Sequence, residues 1–163
     1  MKLTAKADIA APIDQAFDGL CDPDRLEQTV RGQGGIIRRN PIGPVEEGTQ
    51  WDARIAFRGA SREVSFIVTS LEAPMLMRFR GNGAAFDIAV DVELAVVDAV
   101  TTRLTVTTQG APKTLPARIM MQSLKLAHGQ ILARYRARIA EYVAETEAEI
   151  RLSYWRIWSG SAG

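Results

Sequence analysis

Few residues in this chain are of types that carry acid–base, nucleophilic or metal chemistry. The sequence contains a single histidine, His128, and a single cysteine, Cys21. An imidazole with a pKa near about 6.5 can donate or accept a proton at neutral pH, and the hydroxyls of Tyr135 and Tyr142 could act beside it as acid or base. The counts exclude an internal disulfide and the usual zinc sites of several cysteines and histidines. We therefore expect no metal and no cofactor.

The position of His128 decides between two interpretations. It belongs to an apolar stripe with spacings of four, four, three, four, four and three residues: Met120, Leu124, His128, Ile131, Tyr135, Ile139 and Tyr142. This spacing predicts one helix of about thirty residues that begins near Leu115 and turns His128 toward the rest of the fold. The imidazole then either reaches into a cavity or is a core histidine bonded to a backbone carbonyl, to Tyr142 or to Thr108.

The other polar motifs indicate structure rather than reaction. Phosphate-binding loops, nucleophile elbows and metal-ligand spacings are absent from the sequence. Cys21 has no basic sequence neighbour that would lower its pKa, and Asp22 and Asp24 are typical of a helix start. Charged residues that alternate with apolar ones predict ladders on a solvated sheet face: Arg54, Arg58, Arg78, Arg80 and Arg103 with Asp52, Glu63, Asp87, Asp91 and Glu93.

The last helix is basic in its first part and acidic in its second. Its cations are Lys113, Arg118, Lys125, Arg134, Arg136 and Arg138, and its acids follow at Glu141, Glu145, Glu147 and Glu149. This asymmetry either steers an anionic ligand toward one end of a cavity or belongs to a solvated exterior. Of the cations, Arg138 alone lies close enough to the apolar stripe to reach inward.

Length and charge limit the class of protein. The 163 residues suffice for one domain with a sizeable core, and 20 basic against 19 acidic residues leave a formal charge of +1. Neither nucleic acid nor a membrane surface is an expected partner at this balance. Because a signal-peptide core and an apolar run of about 18 residues are both missing, we expect a soluble, cytoplasmic protein.

The elements that must position these residues follow from the hydrophobic period. "KLTAKADIA" alternates as a strand and ends before Pro12; two short helices follow, the second opening at Asp22 and Pro23 with Leu26 and Val30 as its apolar side. After a loop-rich interval at 32–48, with one short possible strand at Ile36 and Ile37, period-two segments predict consecutive antiparallel strands, with "RGAS" and "GNGA" as turns. The long helix must be covered, so the sheet is expected to curl around it.

The order of elements and two short motifs resemble a known superfamily. "AAPIDQAF" and "CDPDRL" are similar to the start of SRPBCC proteins, which include the birch-pollen allergens, lipid-transfer START domains and polyketide cyclase/dehydrase-like proteins. The resemblance covers about residues 1–148. It implies an α+β helix-grip fold, with a curved antiparallel sheet of six to seven strands around a long C-terminal helix and two short helices after the first strand.

The resemblance also implies a cavity between the sheet and the long helix for a hydrophobic or amphipathic small molecule. Inward parity and the helical stripe give these candidate ligand-binding residues: Trp51, Ala53, Phe57, Phe66, Met77, Phe79, Phe86, Ile88, Met120, Leu124, His128, Ile131 and Tyr135. Aromatic and Met side chains beside small residues suit an adaptable pocket. The alternative is that the same residues fill an ordinary core.

The chain therefore divides into one domain at 1–150 and a tail at 151–163. The tail "RLSYWRIWSGSAG" holds two tryptophans and a tyrosine, and we expect it to dock on the domain or on a second subunit as a homodimer contact. Three functions remain open. They are a carrier of a hydrophobic small molecule, a cyclase, dehydratase or hydrolase that uses His128 and tyrosines, and a protein-interaction module that uses the tail.

Overall fold

The fold is a single antiparallel sheet with four helices. The computed structural model describes residues 1–57 and 59–160, without the side chain of Phe57. The strands are β1 (Lys2–Ile9), β2 (Ile36–Asn40), β3 (Gln50–Phe57), β4 (Ala60–Glu72), β5 (Leu76–Gly83), β6 (Phe86–Asp98) and β7 (Thr101–Pro112), and the helices are α1 (Ile13–Leu20), α2 (Pro23–Gly32), α3 (Leu115–Leu126) and α4 (His128–Gly160). The strand order β1-β7-β6-β5-β4-β3-β2 is antiparallel throughout. The predicted α+β architecture with a long C-terminal helix is confirmed.

The two short helices begin as the sequence predicts. Asp22 caps α2, because its carboxylate accepts a hydrogen bond of 2.9 Å from the backbone N–H of Asp24, and Pro23 occupies the first turn. Helix α1 buries Ala16, Phe17 and Leu20. Helix α1 packs against α4, β6 and β7, whereas α2 packs against the edge strand β2.

The two faces of the sheet differ as the alternation predicts. Cross-strand ion pairs on the outer face join Arg54 to Glu63 at 2.8 Å, Arg80 to Asp91 at 2.9 Å and Arg103 to Asp8 at 2.9 Å. Arg58, which the sequence places in these ladders and in the "RGAS" turn, lies outside the described residues. The inner face carries the core, whose members include Ile9, Phe17, Trp51, Val68, Met77, Leu104 and Val143.

The predicted single helix from Leu115 is wrong at one point. Helix α3 ends at Leu126, Ala127 has φ −100 and ψ 17, and α4 starts at His128. Helix α3 buries Ala117, Met121 and Leu124 and packs on β7, where the Met121 Cε lies 3.6 Å from the position that a Cβ would take at Gly110. A straight helix could not follow both this surface and the sheet interior. The stripe of the sequence therefore divides between two helices.

The C-terminal tail continues α4 as far as Gly160. Its apolar side chains are exposed in the single chain: Leu152, Tyr154, Trp155, Ile157 and Trp158. The hydroxyl of Tyr154 accepts a hydrogen bond from the side-chain amide of Gln15 in α1. Residues 161–163 lie outside the described part of the chain, and the docking of the tail on a second subunit stays a prediction.

None of the helices formed within residues 1–57 and 59–160 is both long and apolar enough to cross a membrane.

Candidate ligand-binding site

A cavity of about 370 Å³ lies between the inner face of the sheet, α4 and α2. Register brings its strand residues together, because Phe79 pairs with Val90, Val90 pairs with Thr108, and Val92 pairs with Val106. The full lining is Leu20, Leu26, Thr29, Val30, Gln33, Ile37, Trp51, Phe66, Phe79, Val90, Val92, Leu104, Val106, Thr108, Tyr135, Arg138, Ile139 and Tyr142. Most of these side chains are apolar, and the volume falls within the range of small-molecule sites.

Part of the predicted site lines this cavity. Of the thirteen candidate residues, the structure brings Trp51, Phe66, Phe79 and Tyr135 to it, and the alternative acid/base residue Tyr142 joins them. Trp51 and Phe79 contact each other with ring centroids 5.8 Å apart. The aromatic side of the cavity thus comes from β3, β4 and β5 on the sheet and from α4 above it.

The other candidate residues lie elsewhere. Ala53 and Met77 are buried outside the cavity lining, and Met77 belongs to the core. Phe86 and Ile88 are in the first part of β6, opposite Pro112 and Gly110, at the end of β7 where α3 packs. The side chain of Phe57 lies outside the described residues.

The break between α3 and α4 separates the remaining four candidate residues from the cavity. Met120 and Leu124 belong to α3, while His128 and Ile131 form the first turn of α4, and the cavity lining begins only at Tyr135. His128 is half-buried, as expected, but the structure does not bring it to the cavity. The predicted direction of the His128 side chain assumed one straight helix from Leu115. The break at Ala127 therefore explains why His128 does not line the cavity.

Several lining residues were missed as site residues. Leu26 and Val30 were predicted only as the apolar side of α2, and Val90 and Val92 of β6 were not among the candidate residues. Strand parity could have found the two valines, since each lies an even number of residues from Ile88. The contribution of α2 follows from its tertiary position, which no local pattern indicates.

A buried polar network fixes α2 above this cavity. The indole N–H of Trp51 donates a hydrogen bond of 2.9 Å to Glu27, whose carboxylate also lies 3.0 Å from the Arg39 guanidinium and accepts a bond of 3.4 Å from Arg31. The Glu27 side chain is only 7% exposed. A buried carboxylate needs such partners to offset its desolvation. No local pattern indicates this network, because Glu27 lies in a helix with several other charged residues.

The two cavity tyrosines direct their hydroxyls to protein atoms. The Tyr135 hydroxyl lies 2.9 Å from the Thr108 hydroxyl and donates to the Val106 carbonyl at 3.3 Å. The Tyr142 hydroxyl donates to the Leu20 carbonyl at 2.8 Å. Burial raises the pKa of both phenols, and the Arg25 guanidinium, 4.9 Å from the Tyr142 ring, opposes this only in part. Both therefore stay protonated at neutral pH, with their protons engaged.

The remaining reactive group is inert. Cys21 is buried, and burial raises the pKa of its thiol to about 12, so the thiolate needed for nucleophilic attack is not formed at neutral pH. Within residues 1–57 and 59–160, no group of three or more His, Cys, Asp or Glu side chains is placed to hold a metal ion.

A second, larger concavity of about 740 Å³ lies on the outer side of the sheet. Its lining is mixed, with Lys2, Gln50, Arg80, Asn82 and Asp87 beside Ile67 and Ala89. The Arg80 side chain is already paired with Asp91. This surface offers a ligand less apolar area than the inner cavity does.

Comparisons with known proteins identify the architecture. No protein-family model and no curated protein sequence matches the chain. Among solved structures, the Zhui aromatase/cyclase from a Streptomyces species is similar with a TM-score of 0.66 and 10% identity, over 94% of this chain and 97% of that one. Ara h 8.0201 has a TM-score of 0.56 and 12% identity over 92% and 97% of the two chains. An HSP90 activator from Plasmodium falciparum has a TM-score of 0.50 and 17% identity over 70% and 76%. At these identities the likeness concerns the fold alone.

Proposed function

Because the chain has the helix-grip fold shared by SRPBCC proteins, we propose that it binds and carries a hydrophobic or amphipathic small molecule. The molecule occupies the cavity between the sheet, α2 and α4. The observation that carries this proposal is the apolar lining, in which the aromatic groups of Trp51, Phe66 and Phe79 face a space of about 370 Å³. Burial of apolar ligand surface there supplies about 25 cal/mol per Å².

The described polar groups favour carriage over catalysis. An enzyme of the cyclase or dehydratase type needs a proton donor or acceptor within reach of the substrate. Here the Tyr135 and Tyr142 hydroxyls donate to backbone carbonyls, and His128 lies outside the cavity lining. A ligand in this space therefore meets mainly apolar atoms.

A cavity-filling variant tests the proposal directly. Val90 lines the cavity from β6, so Val90→Phe should reduce its volume and weaken binding of the neutral fluorophore N-phenyl-naphthylamine by at least about tenfold. Fluorescence titration of the full chain measures this. Val96→Phe is the matched control, because Val96 lies on the same strand but is 63% exposed; it should bind the fluorophore as the wild type does.

The outcomes test the carrier proposal and separate it from the enzyme alternative. Equal binding by wild type and Val90→Phe, or no binding by either, would overturn the carrier proposal. Native mass spectrometry of the protein from its own host adds a second observation, since a retained small molecule is expected of a carrier. Turnover of a retained molecule by the wild type would instead favour the enzyme.

A further inference from the structure

We infer that the molecule held in the cavity is an amphipathic carboxylic acid whose carboxylate pairs with Arg138, an inference that rests on the proposed function. Arg138 is the one charged residue among the eighteen described side chains that line the cavity. The residue is exposed as a whole. A residue that is exposed and also lines the cavity lies at its opening, where a ligand's polar end would remain near water while its apolar body is buried.

The charge of Arg138 is available for a ligand. Within residues 1–57 and 59–160, no acidic side chain forms an ion pair with it and no hydrogen bond of its guanidinium is formed. Other arginines of the fold behave differently, since Arg39 and Arg103 bind carboxylates at 2.8 and 2.9 Å. A guanidinium presents paired N–H donors that match a carboxylate in a bidentate geometry.

Helix geometry separates Arg138 from its neighbours. At about 100° per residue, Tyr135, Ile139 and Tyr142 centre the face of α4 that lines the cavity, and Arg138 lies at the edge of that face. Arg134 lies one turn earlier and about 40° farther from the centre. It is exposed and does not line the cavity, so it provides a matched control on the same helix.

The surrounding charge favours an anion at this opening. Residues 128–140 of α4 contain three arginines and no aspartate or glutamate, and the acids of the helix begin at Glu141. Such a cationic segment raises the local concentration of anionic ligands at low ionic strength. Among the uncharged polar lining groups, the hydroxyls of Thr29 and Thr108 already bond to the Arg25 carbonyl and the Tyr135 hydroxyl, so they do not compete with Arg138 for an anion.

Paired ligands that differ in one group isolate the contribution of Arg138. Decanoate and decanol share an alkyl chain and differ in the carboxylate, and each is titrated as a competitor of N-phenyl-naphthylamine on the full chain. Arg138→Gln should weaken decanoate roughly three- to fivefold, the upper range for an exposed charge pair, and change decanol by less than about twofold. Added salt should weaken decanoate on the wild type more than on the variant.

Two further variants make the result decisive. Arg134→Gln should leave both ligands within about twofold of wild type, and Arg138→Lys should retain part of the preference for decanoate because it keeps the charge. Equal loss of decanoate and decanol in Arg138→Gln, or equal effects of Arg134→Gln and Arg138→Gln, would overturn the assignment to Arg138 while leaving the carrier function intact. Failure of the neutral fluorophore to bind the wild type would overturn both.

Discussion

The carboxylate of Glu27 holds α2 to the sheet. Its removal should destabilise the fold and loosen the contact of α2 with the cavity. Glu27 accepts the indole N–H of Trp51 at 2.9 Å and lies 3.0 Å from Arg39, with both charged side chains largely buried at 7% and 12% exposure. Glu27→Met keeps approximate volume but leaves the buried Trp51 N–H without its acceptor and removes one of the two carboxylates at Arg39, which keeps Asp24. Breaking a buried pair in this way costs about 3–5 kcal/mol.

Glu27→Gln refines the same test. The amide keeps an acceptor for Trp51 and removes the charge opposite Arg39, so the expected cost is smaller, about 1–2 kcal/mol. Urea denaturation followed by circular dichroism measures both variants. With a slope of about 2 kcal/mol per M, Glu27→Met should lower the midpoint by about 1.5–2.5 M. N-phenyl-naphthylamine affinity should fall as well, because α2 supplies Leu26 and Val30 to the cavity.

An exposed pair provides the control for this series. Glu63 is 77% exposed and pairs with Arg54 at 2.8 Å, so Glu63→Gln should move the midpoint by less than about 0.4 M. A shift of less than about 0.5 M for Glu27→Met would refute the reasoning. The network would then contribute no more than a surface ion pair, and α2 would be held by apolar contacts alone.

Two further predictions concern the helices. A Cβ added at Gly129 would have no heavy atom within 4 Å. Gly129→Ala should therefore raise the free energy of unfolding by up to about 1 kcal/mol, or Tm by a few degrees in calorimetry. A lower Tm would mean that the break at Ala127 needs glycine at the next position but one. Burial raises the pKa of the Tyr142 phenol in the folded state; its stabilising effect is therefore complete below the unfolded value of about 10 and declines as pH rises above it. Urea midpoints measured across alkaline pH should fall less steeply in Tyr142→Phe than in wild type, and identical slopes would exclude Tyr142 as a cause.

Local patterns were sufficient to predict the sheet and the short helices. Alternation sets which face of each strand is buried, so Trp51 and Phe79 were placed inside and Arg54 outside from period alone. The Asp22 cap and Pro23 likewise depend only on neighbouring residues. These features follow from contacts within an element or between adjacent strands, which a single sequence displays directly.

The site was predicted less completely because it depends on how helices lie across the sheet. The stripe through His128 continues unbroken in sequence, yet the turn at Ala127 directs α3 along β7 and leaves the cavity to residues from Tyr135 onward. The bond between Glu27 and Trp51 joins residues 24 positions apart. Neither feature has a periodic signature, so each required the tertiary structure.

The cavity persists because polar and close-packed contacts hold its walls apart around an apolar space. Protein interiors ordinarily pack without voids, so α4 must be kept from collapsing onto the sheet. The Tyr135 hydroxyl joins α4 to β7 through Thr108. Where α1 crosses α4, a Cβ on Gly19 would lie 2.8 Å from Thr146 Cγ2, so this close contact fixes the separation of α1 and α4. The hydroxyls of Tyr135 and Tyr142 are bonded to protein atoms in the cavity walls. A ligand therefore meets the apolar rings of these tyrosines rather than free hydroxyl groups. Among the described lining residues, Arg138 is then the charged group that a bound molecule can meet.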